Sequence, residues 1–290
     1  PLQEAFYQAC VSAGYPYNPD NHDPDATGVS LRAENNVDGV RMSMAITHIE
    51  PNRNRLNLTI KANVQVMRIV LSGNVATGLE VESGGERFLV EGEQITLCAG
   101  AVGSPQLLML SGIGPRDQLE PLDIPVVVDA PGVGQNMRDH PNVVVRFTVN
   151  EDRPDETVAR RALRLRYTAT ASPTPNDMIL SPSSLNTVVK EDVDPTHSIN
   201  CGLYLAVGKG ELRLVSTDPN VQPSMDYHYL EEPWDRERLR EAVRKCVSLL
   251  KDGSYGEIVN QRTAPTDADL SSDESLDGWM LRTVSTSFHI

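Results

Sequence analysis

Residues 97–115 read LCAGAVGSPQLLMLSGIGP, and this stretch decides the fold more than any other part of the chain. An apolar run leads into very small residues, and a leucine-rich segment follows. Ser104 suits a helix N-cap, Pro105 the first helical position and Gly112 the position after the last turn, so we predict a short helix, QLLMLS. Small residues before a helix N-terminus let a flat or anionic ligand reach backbone N–H groups, but a tight strand–helix packing turn needs them equally.

The residues on either side of this stretch predict a mixed α/β chain. Upstream, strand-like runs alternate with the turns SGN and SGG between residues 57 and 100, which is typical of an antiparallel meander that leads into an apolar strand, ITLCAG. Downstream, several strand-like segments are consistent with one antiparallel sheet: VVVRFTV, GLYLAVG, GELRLVS and PSMDYHYL. The predicted helices are LQEAFYQACVSAG, WDRERLREAVRKCVSLLKDG and a short DESLDGWMLRTV.

The charge balance argues against nucleic acid and anionic membranes as partners. The 290 residues contain 26 Lys and Arg against 40 Asp and Glu, a formal net charge of -14, whereas phosphate binding needs clustered positive charge. The basic residues Arg160, Arg161, Arg164 and Arg166 alternate with apolar ones, which favours a solvated strand or helix face. No apolar run reaches the roughly 18–20 residues of a membrane-spanning helix.

Metal and disulfide sites are also disfavoured. The four cysteines lie far apart without a CxxC pair, so we expect buried free thiols. Residues 23–34, DPDATGVSLRAE, nearly match a calcium-binding EF-hand loop. Pro24 stiffens that loop, however, and the turn NNVDG follows where an exiting helix is needed. We therefore expect an acidic surface loop and no metal site.

Two histidines are candidate general bases, because an imidazole titrates near neutrality. His140 lies in a DHP turn and His289 lies next to the end of the sequence. A purely structural role is the commoner alternative for a lone histidine. Hydrolase chemistry loses support because no GxSxG motif is present, and no GxGxxG motif provides a pyrophosphate-binding loop.

The segment AGAVGSPQLLMLSGIGP is similar to the second signature of the glucose–methanol–choline (GMC) family of FAD-dependent oxidoreductases. Further segments resemble family members in the same order: NRLNLTIKANVQVMRI, PGVGQNMRDHP, GELRLVSTDPNVQPSMDYHYL and TVSTSFHI. The resemblance extends over essentially the whole chain and is weakest over 150–195. It implies part of a Rossmann-like FAD-binding domain with a β-meander, and a substrate domain built on an antiparallel sheet flanked by helices.

The resemblance also implies a domain division and an incomplete site. Residues 1–141 correspond to the FAD-binding portion with a loop segment, 142–283 to the substrate domain, and 284–290 to the start of the return to the FAD domain. Family members open with a GxGxxG unit and continue past their catalytic histidine. We therefore expect this chain to need a partner FAD-binding segment on its N-terminal side, and expect the isolated chain to bind no flavin.

Individual site residues follow from the same resemblance. His289 aligns with the catalytic base of the family, and Phe288 with the aromatic residue that often lies beside the flavin. Val66 aligns with the meander residue whose backbone contacts adenine. Residues 99–101 (Ala99, Gly100 and Ala101) align with the turn that borders the cofactor, and Ser104 begins the helix that follows.

The implied activity is FAD-dependent oxidation of a small-molecule alcohol in a choline dehydrogenase-like enzyme. The base, His289, removes the hydroxyl proton while the α-carbon hydride moves to flavin N5. Two alternatives stay open: a flavin-containing lyase of the hydroxynitrile-lyase type on the same fold, and a non-catalytic fragment without FAD. We expect the protein to be cytoplasmic.

Overall fold

A computed structural model of the chain describes residues 2–25, 27–150, 163–183, 197–256 and 258–289. The contacts divide the chain into two compact units, which are described one at a time. The first unit comprises residues 1–33, 138–208 and 228–289, and the second comprises residues 34–137 and 209–227.

The helices are α1 (Leu2–Ser12), α2 (Glu50–Asn52), α3 (Gly100–Leu110), α4 (Arg116–Leu119), α5 (Pro233–Leu249) and α6 (Asp273–Thr283). A π-helical turn, Ala45–Ile49, precedes α2, and single 3-10 turns occupy Glu120–Leu122 and Gly253–Tyr255. The first eight strands are β1 (Gly28–Leu31), β2 (Asn36–Val37), β3 (Val40–Arg41), β4 (Gln65–Ser72), β5 (Val75–Ser83), β6 (Glu86–Glu91), β7 (Ile113–Gly114) and β8 (Val128–Asp129). The others are β9 (Gln135–Met137), β10 (Asn142–Val149), β11 (Leu163–Tyr167), β12 (Met178–Ser183), β13 (His197–Leu203), β14 (Gly210–Arg213), β15 (Ser224–Asp226) and β16 (Val259–Ala264).

The first unit is built on a six-stranded antiparallel sheet with the order β1-β11-β12-β13-β10-β16. Alternate residues of a strand point to opposite faces, so each strand divides its side chains between the two faces. On β10, Val143, Val145 and Phe147 are buried while the residues between them are partly exposed. The buried face packs against α1, α5 and α6 and forms the main apolar core. The opposite face is polar.

A buried ion cluster fixes α5 to the loops at one end of this sheet. Arg238 is 2% exposed, and its guanidinium donates to Asp177 Oδ2 at 2.8 Å and to Asp235 Oδ1 at 2.5 Å. The same two carboxylates accept backbone N–H groups, among them those of Ala169 and Gly208. Each buried charge therefore has an opposite charge and hydrogen bonds, the condition under which a buried ion pair is tolerated.

The second unit joins the meander β4-β5-β6 to the three-stranded sheet β15-β14-β9, the hairpin β2-β3 and the parallel pair β7-β8. Its smaller core contains Met109, Leu119 and Leu212. Ser111 fixes the end of α3 to the meander, because its hydroxyl accepts the Ile69 N–H at 2.8 Å and donates to the Leu107 carbonyl at 2.6 Å.

The predicted helices LQEAFYQACVSAG, WDRERLREAVRKCVSLLKDG and DESLDGWMLRTV are confirmed as α1, α5 and α6. The boundary of α3 was wrong at its N-terminus: the helix begins at Gly100, after Ala99, and Ser104 lies inside it without capping it. Pro105 is the sixth residue of the helix, and because it has no N–H, the Ala101 carbonyl four residues earlier does not receive the usual helical hydrogen bond from it. Gly112 follows α3 as predicted, with φ +81°, and a Cβ there would lie 2.4 Å from the Pro125 carbonyl oxygen.

Two strand expectations were wrong. Residues 95–98 of ITLCAG form no strand, because they pair with no strand among the described residues and a strand needs a hydrogen-bonded neighbour. GELRLVS and PSMDYHYL do not join the sheet of β10 and β13. Their strands, β14 and β15, pair with each other, and β14 also pairs with β9, because Leu212 of β14 is buried in the second core.

The compact units do not follow the expected division at residue 141. Helix α1 and strand β1 belong to the first unit, because α1 buries Phe6 in the main core and β1 pairs with β11. Residues 209–227 belong to the second unit. The functional roles expected for the segments, FAD binding and substrate binding, stay predictions.

The surface expectations have mixed outcomes. All four thiols are free; three are buried, as expected, while Cys98 is exposed. Burial raises the pKa of the Cys10 thiol to about 12.

No group of metal-ligating side chains occurs within the described ranges. The near-EF-hand loop instead places the carbonyls of Asn21, Asp23 and Pro24 around the Arg166 guanidinium. Arg160 and Arg161 lie outside the described residues.

No helix in the described part of the chain is long and apolar enough to cross a membrane.

We expect Arg238→Ala to lower the free energy of unfolding by about 3–5 kcal/mol, because it leaves Asp177 and Asp235 buried without a counter-charge. Chemical denaturation followed by circular dichroism measures the change. Arg244→Ala on the same helix is the matched control, because the pair between Arg244 and Asp273 is exposed. Equal transition midpoints for the two variants would contradict the expectation.

Candidate active site

A cavity of about 340 Å³ lies on the polar face of the six-stranded sheet in the first unit. Strands β10 to β13 and the segment after α6 supply its lining, which includes both sequence-predicted residues at the end of the chain, Phe288 and His289. The remaining lining residues are Arg32, Asn142, Val144, Arg164, Ile179, Ser181, Asn200, Gly202, Tyr204, Ser285, Thr286 and Ser287. The lining is therefore mostly polar, with a few apolar side chains.

The segment after α6 is held in place by the turn that precedes β10. The backbone of Asn142 exchanges two hydrogen bonds with Ser285, at 3.1 and 2.9 Å. The Asn142 side chain donates to the Ser287 hydroxyl at 3.0 Å, and that hydroxyl donates to the His140 carbonyl at 2.8 Å. These bonds join parts of the sequence about 145 residues apart, and they fix where His289 lies relative to the sheet.

Asp139 is the central acceptor of this arrangement. Its carboxylate is 5% exposed and accepts the hydroxyls of Tyr229, at 2.6 Å, and Thr286. It also accepts the backbone N–H of His140 at 2.6 Å and that of His289 at 3.3 Å. Burial by itself raises the pKa of a carboxyl group, but these four hydrogen bonds outweigh burial and lower the pKa of Asp139. Asp139 is therefore a buried anion at neutral pH.

The rings of His140 and His289 meet at the cavity. Their centroids are 5.5 Å apart and their planes are nearly perpendicular, at 88°. His140 also stacks on Tyr204, with 4.3 Å between centroids and 12° between planes. Burial lowers the pKa of His140, the proximity of His289 lowers it further, and the charge of Asp139 opposes both effects. His140 is accordingly a neutral imidazole at physiological pH.

Phe288 adopts a backbone conformation that is unusual for a residue with a side chain. Its φ is 58°, in the left-handed region, and its side chain is 86% exposed. The Thr286 hydroxyl accepts the Phe288 N–H at 2.8 Å and so supports this conformation. Non-glycine residues in that region concentrate at functional sites, where the surrounding structure maintains the strain. The turn presents the Phe288 ring and the His289 imidazole on adjacent residues.

The residues expected to bind the cofactor lie in the second unit. Val66 and Ala99 line one cavity of about 410 Å³ between the meander and α3. Gly100, Ala101 and Ser104 are not among its lining residues. Val66 is on β4, an edge strand of the meander, whose outer side pairs with no other strand among the described residues.

The small residues at this cavity fit a group that lies close to the backbone. Ala99 is exposed, and a Cβ added at Gly103 would lie 3.0 Å from the Ala99 Cβ. Gly100 has φ +77°, a conformation that side chains disfavour. The edge strand and the small residues before α3 therefore border a cavity with few large side chains, which suits the adenine or another flat part of FAD.

The structure thus brings the sequence-predicted residues together in two groups. Val66 and Ala99 share one cavity, and Phe288 and His289 share the other. Sequence reasoning missed the part of Asp139, because the sequence does not indicate that this carboxylate is buried under a segment 147 residues away. It considered His140 and His289 separately, although their rings are in contact.

Comparison with known proteins agrees with this architecture. Two family models described as GMC oxidoreductase match residues 1–142 and 206–290. A GMC-type oxidoreductase from Rhodococcus erythropolis is 30% identical over 293 residues, and an oxygen-dependent choline dehydrogenase from Burkholderia multivorans is 29% identical over 318 residues. Each alignment covers 100% of this chain and 56% of the relative.

Solved structures give the same result. Pyridoxine 4-oxidase from Mesorbium loti superimposes with a TM-score of 0.91 at 27% identity, and the match covers 100% of this chain and 58% of that one. Formate oxidase from Aspergillus oryzae RIB40, at 20% identity and a TM-score of 0.87 over 100% of this chain and 59% of that one, supports the fold alone.

The chain belongs to the GMC oxidoreductase family, a family of FAD-dependent enzymes. The resemblance stated from the sequence and the mixed α/β fold with antiparallel sheets are both confirmed. The chain spans a little over half the length of the relatives it matches.

We expect the free energy of unfolding to fall less on acidification in His140→Gln than in the unmodified protein. The folded-state pKa of His140 is lowered, so its contribution to stability is present above the unfolded value of about 6.5 and is lost as the pH falls below it. Denaturation midpoints at about pH 7.5 and 5.5 measure the effect, and the variant should lose less than the unmodified protein.

His22→Gln serves as the control, because His22 is exposed on a loop of the same unit. It should keep the pH dependence of the unmodified protein. An unchanged difference between the two midpoints in His140→Gln would contradict the assignment of a neutral imidazole.

Proposed function

We propose that the protein carrying this chain is an FAD-dependent enzyme that oxidises a small-molecule alcohol, with His289 as the base. The observation that carries this proposal is the placement of His289: a buried carboxylate, Asp139, positions its backbone at a polar cavity, and its ring stands beside a neutral His140. The names of the relatives, a choline dehydrogenase and a pyridoxine oxidase, support oxidation of a small molecule.

FAD, when bound, supplies the two-electron acceptor that takes the hydride from the substrate carbon. We propose that Val66 and Ala99 hold part of it through the exposed edge of β4 and the small residues before α3, together with Gly100, Ala101 and Ser104. Phe288, with its exposed ring, is proposed to face the flavin beside the substrate.

The chain's own residues account for the proton. The hydroxyl proton of the alcohol moves to the imidazole of His289, which leaves the oxygen negatively charged and favours departure of hydride from the adjacent carbon. The lowered pKa of His140 keeps that ring neutral. His140 therefore carries no positive charge that would draw the developing alkoxide away from His289. Asp139 and Thr286 are proposed as positioning residues: Thr286 accepts the backbone N–H of Phe288, and Asp139 accepts that of His289.

We expect His289→Asn to lower kcat for alcohol oxidation by about 10²–10⁴-fold, because general base catalysis contributes about that much. Reduction of an electron-accepting dye with a panel of primary alcohols measures kcat, and visible absorbance measures flavin content, which should not change. His48→Gln is the control, because His48 is exposed on the π-helical turn of the other unit.

Two outcomes would contradict this proposal. A kcat in His289→Asn equal to that of the unmodified protein would show that His289 is not the base. Cleavage of a cyanohydrin without any dye reduction would identify a lyase instead of an oxidoreductase.

We expect Ala99→Leu to reduce the flavin content of the full-length protein that carries this chain to a small fraction, because the larger side chain would project into the cavity at Val66. The folded state should persist because Ala99 is exposed. Val75→Leu is the matched control, because Val75 lies on the meander outside that cavity and is 64% exposed. Equal flavin content in the two variants would show that Ala99 does not border the cofactor.

A further inference from the structure

We propose that the cavity beside His289 selects substrates that carry an anionic group, such as a carboxylate, and that the Arg164 guanidinium binds that group. The inference rests on the proposed function, since it takes the cavity of the first unit as the place where the alcohol binds. It adds the charge of the substrate, which the family does not specify.

The charge of the cavity is opposite to that of the chain. The whole sequence has a formal net charge of -14. Among the described residues that line the cavity, however, the charged ones are two arginines, Arg32 and Arg164, and none is Asp or Glu. A concave surface with one sign of charge attracts ligands of the opposite sign and disfavours those of its own. A cationic alcohol would therefore meet two like charges and no carboxylate.

Arg164 lacks the partners that a half-buried guanidinium normally has. Within the described part of the chain it forms no ion pair, and its Nε, like that of Arg238, is enclosed without a hydrogen-bond partner. Burial and the nearby charges of Arg32 and Arg166 lower its pKa, although an arginine stays protonated.

Two other arginines of the first unit show the contrast. The Arg166 guanidinium, two residues along the same strand, donates to three backbone carbonyls. Arg238 has two carboxylates. Removing an unpaired charge from water costs free energy. A bound carboxylate would offset that cost, because a guanidinium and a carboxylate form two parallel hydrogen bonds.

The register of the sheet places Arg164 on the cavity face. Leu165 pairs with Leu180, which sets Arg164 beside Ser181, and Ser181 pairs with Asn200. These three residues form a polar row across β11, β12 and β13, and each of them lines the cavity. The row continues to Val144 on β10, the strand whose first residue, Asn142, holds the segment that ends in His289.

The spacing indicates how long the substrate can be. Three steps between neighbouring strands separate β11 from β10, which is about 14 Å between backbones. Arg164 on β11 and His289, whose segment is bonded to Asn142 of β10, both line the cavity. The space left suits a short spacer, such as one aromatic ring, between the anionic group and the hydroxyl.

Binding of three matched probes to the purified protein tests the inference without turnover. The probes are 4-(hydroxymethyl)benzoate, the neutral 1,4-benzenedimethanol and the cationic 4-(aminomethyl)benzyl alcohol, which share the ring and the hydroxyl. We expect the anion to bind roughly 10–100-fold more tightly than the neutral diol, as for a charged hydrogen bond, and the cation more weakly than either. Isothermal titration calorimetry and saturation-transfer NMR measure the affinities.

Variants locate the effect. Arg164→Gln should abolish the preference for the anion while leaving the affinity for the neutral diol unchanged, and Arg164→Lys should retain part of the preference because it keeps the charge but loses the paired geometry. Arg146→Gln is the matched control, because Arg146 lies on the same face of β10 as Val144 but does not line the cavity. Higher salt should reduce the preference in the unmodified protein, which provides a measurement that needs no variant.

Each possible outcome either supports or overturns the inference. Equal binding of the anion and the diol, tighter binding of the cation, failure of the anion to bind, or an equal loss in Arg146→Gln would overturn it. An anion preference that depends on Arg164 in a protein that oxidises no alcohol would overturn the proposed function alone. Alcohol oxidation that depends on His289 but shows no charge preference would overturn only this inference.

Discussion

The Asp139 carboxylate is the group on which the candidate active site depends. It is buried and ionised, and it accepts hydrogen bonds from two hydroxyls and two backbone N–H groups. Two of these donors flank Phe288, which adopts a left-handed conformation, and a third belongs to His140. A single carboxylate therefore sets the backbone of both histidines, whose rings meet at the cavity. An uncharged acceptor would form weaker bonds at the same positions.

Two buried or half-buried arginines show how the same side chain can serve stability or binding. Arg238 lies on the buried side of α5 with two carboxylates, so its charge is neutralised within the protein and fixes the helix to the loops. Arg164 lies on the opposite, polar face of the sheet and lines a cavity that contains no acidic residue among those described. The antiparallel pleat separates these environments, because alternate residues of each strand face either the helices or the cavity.

In the second unit, small residues leave the backbone open to close approach by other groups. The turn before α3 has almost no side chains, and it borders a cavity next to the edge strand of the meander. The signature residues after it have structural tasks instead. Ser111 bonds the end of α3 to β4, and Gly112 allows the chain to pass the Pro125 carbonyl oxygen. One continuous motif thus combines residues that border a cavity with residues that pack.

Much of the fold could be predicted from local patterns. Amphipathic spacing identified α1, α5 and α6, and the turns SGN and SGG identified the meander. The start of α3 could not be predicted from its capping residues, because a helix through small residues can extend beyond a favourable Ser–Pro start. The pairing of β14 with β9 was also beyond local patterns, since it depends on which core buries Leu212. The family resemblance, and with it the expectations for His289 and for the residues that bind FAD, came from the sequence.

The sequence by itself determined the family, the types of secondary structure and the residues expected to act. Only the tertiary structure decided which of these residues meet, because hydrogen bonds between Asp139 and residues about 90 to 150 positions away have no local signal. It also decided that Arg164 faces a cavity rather than open solvent, because burial and register depend on the strands beside it and not on the spacing of charges along the chain.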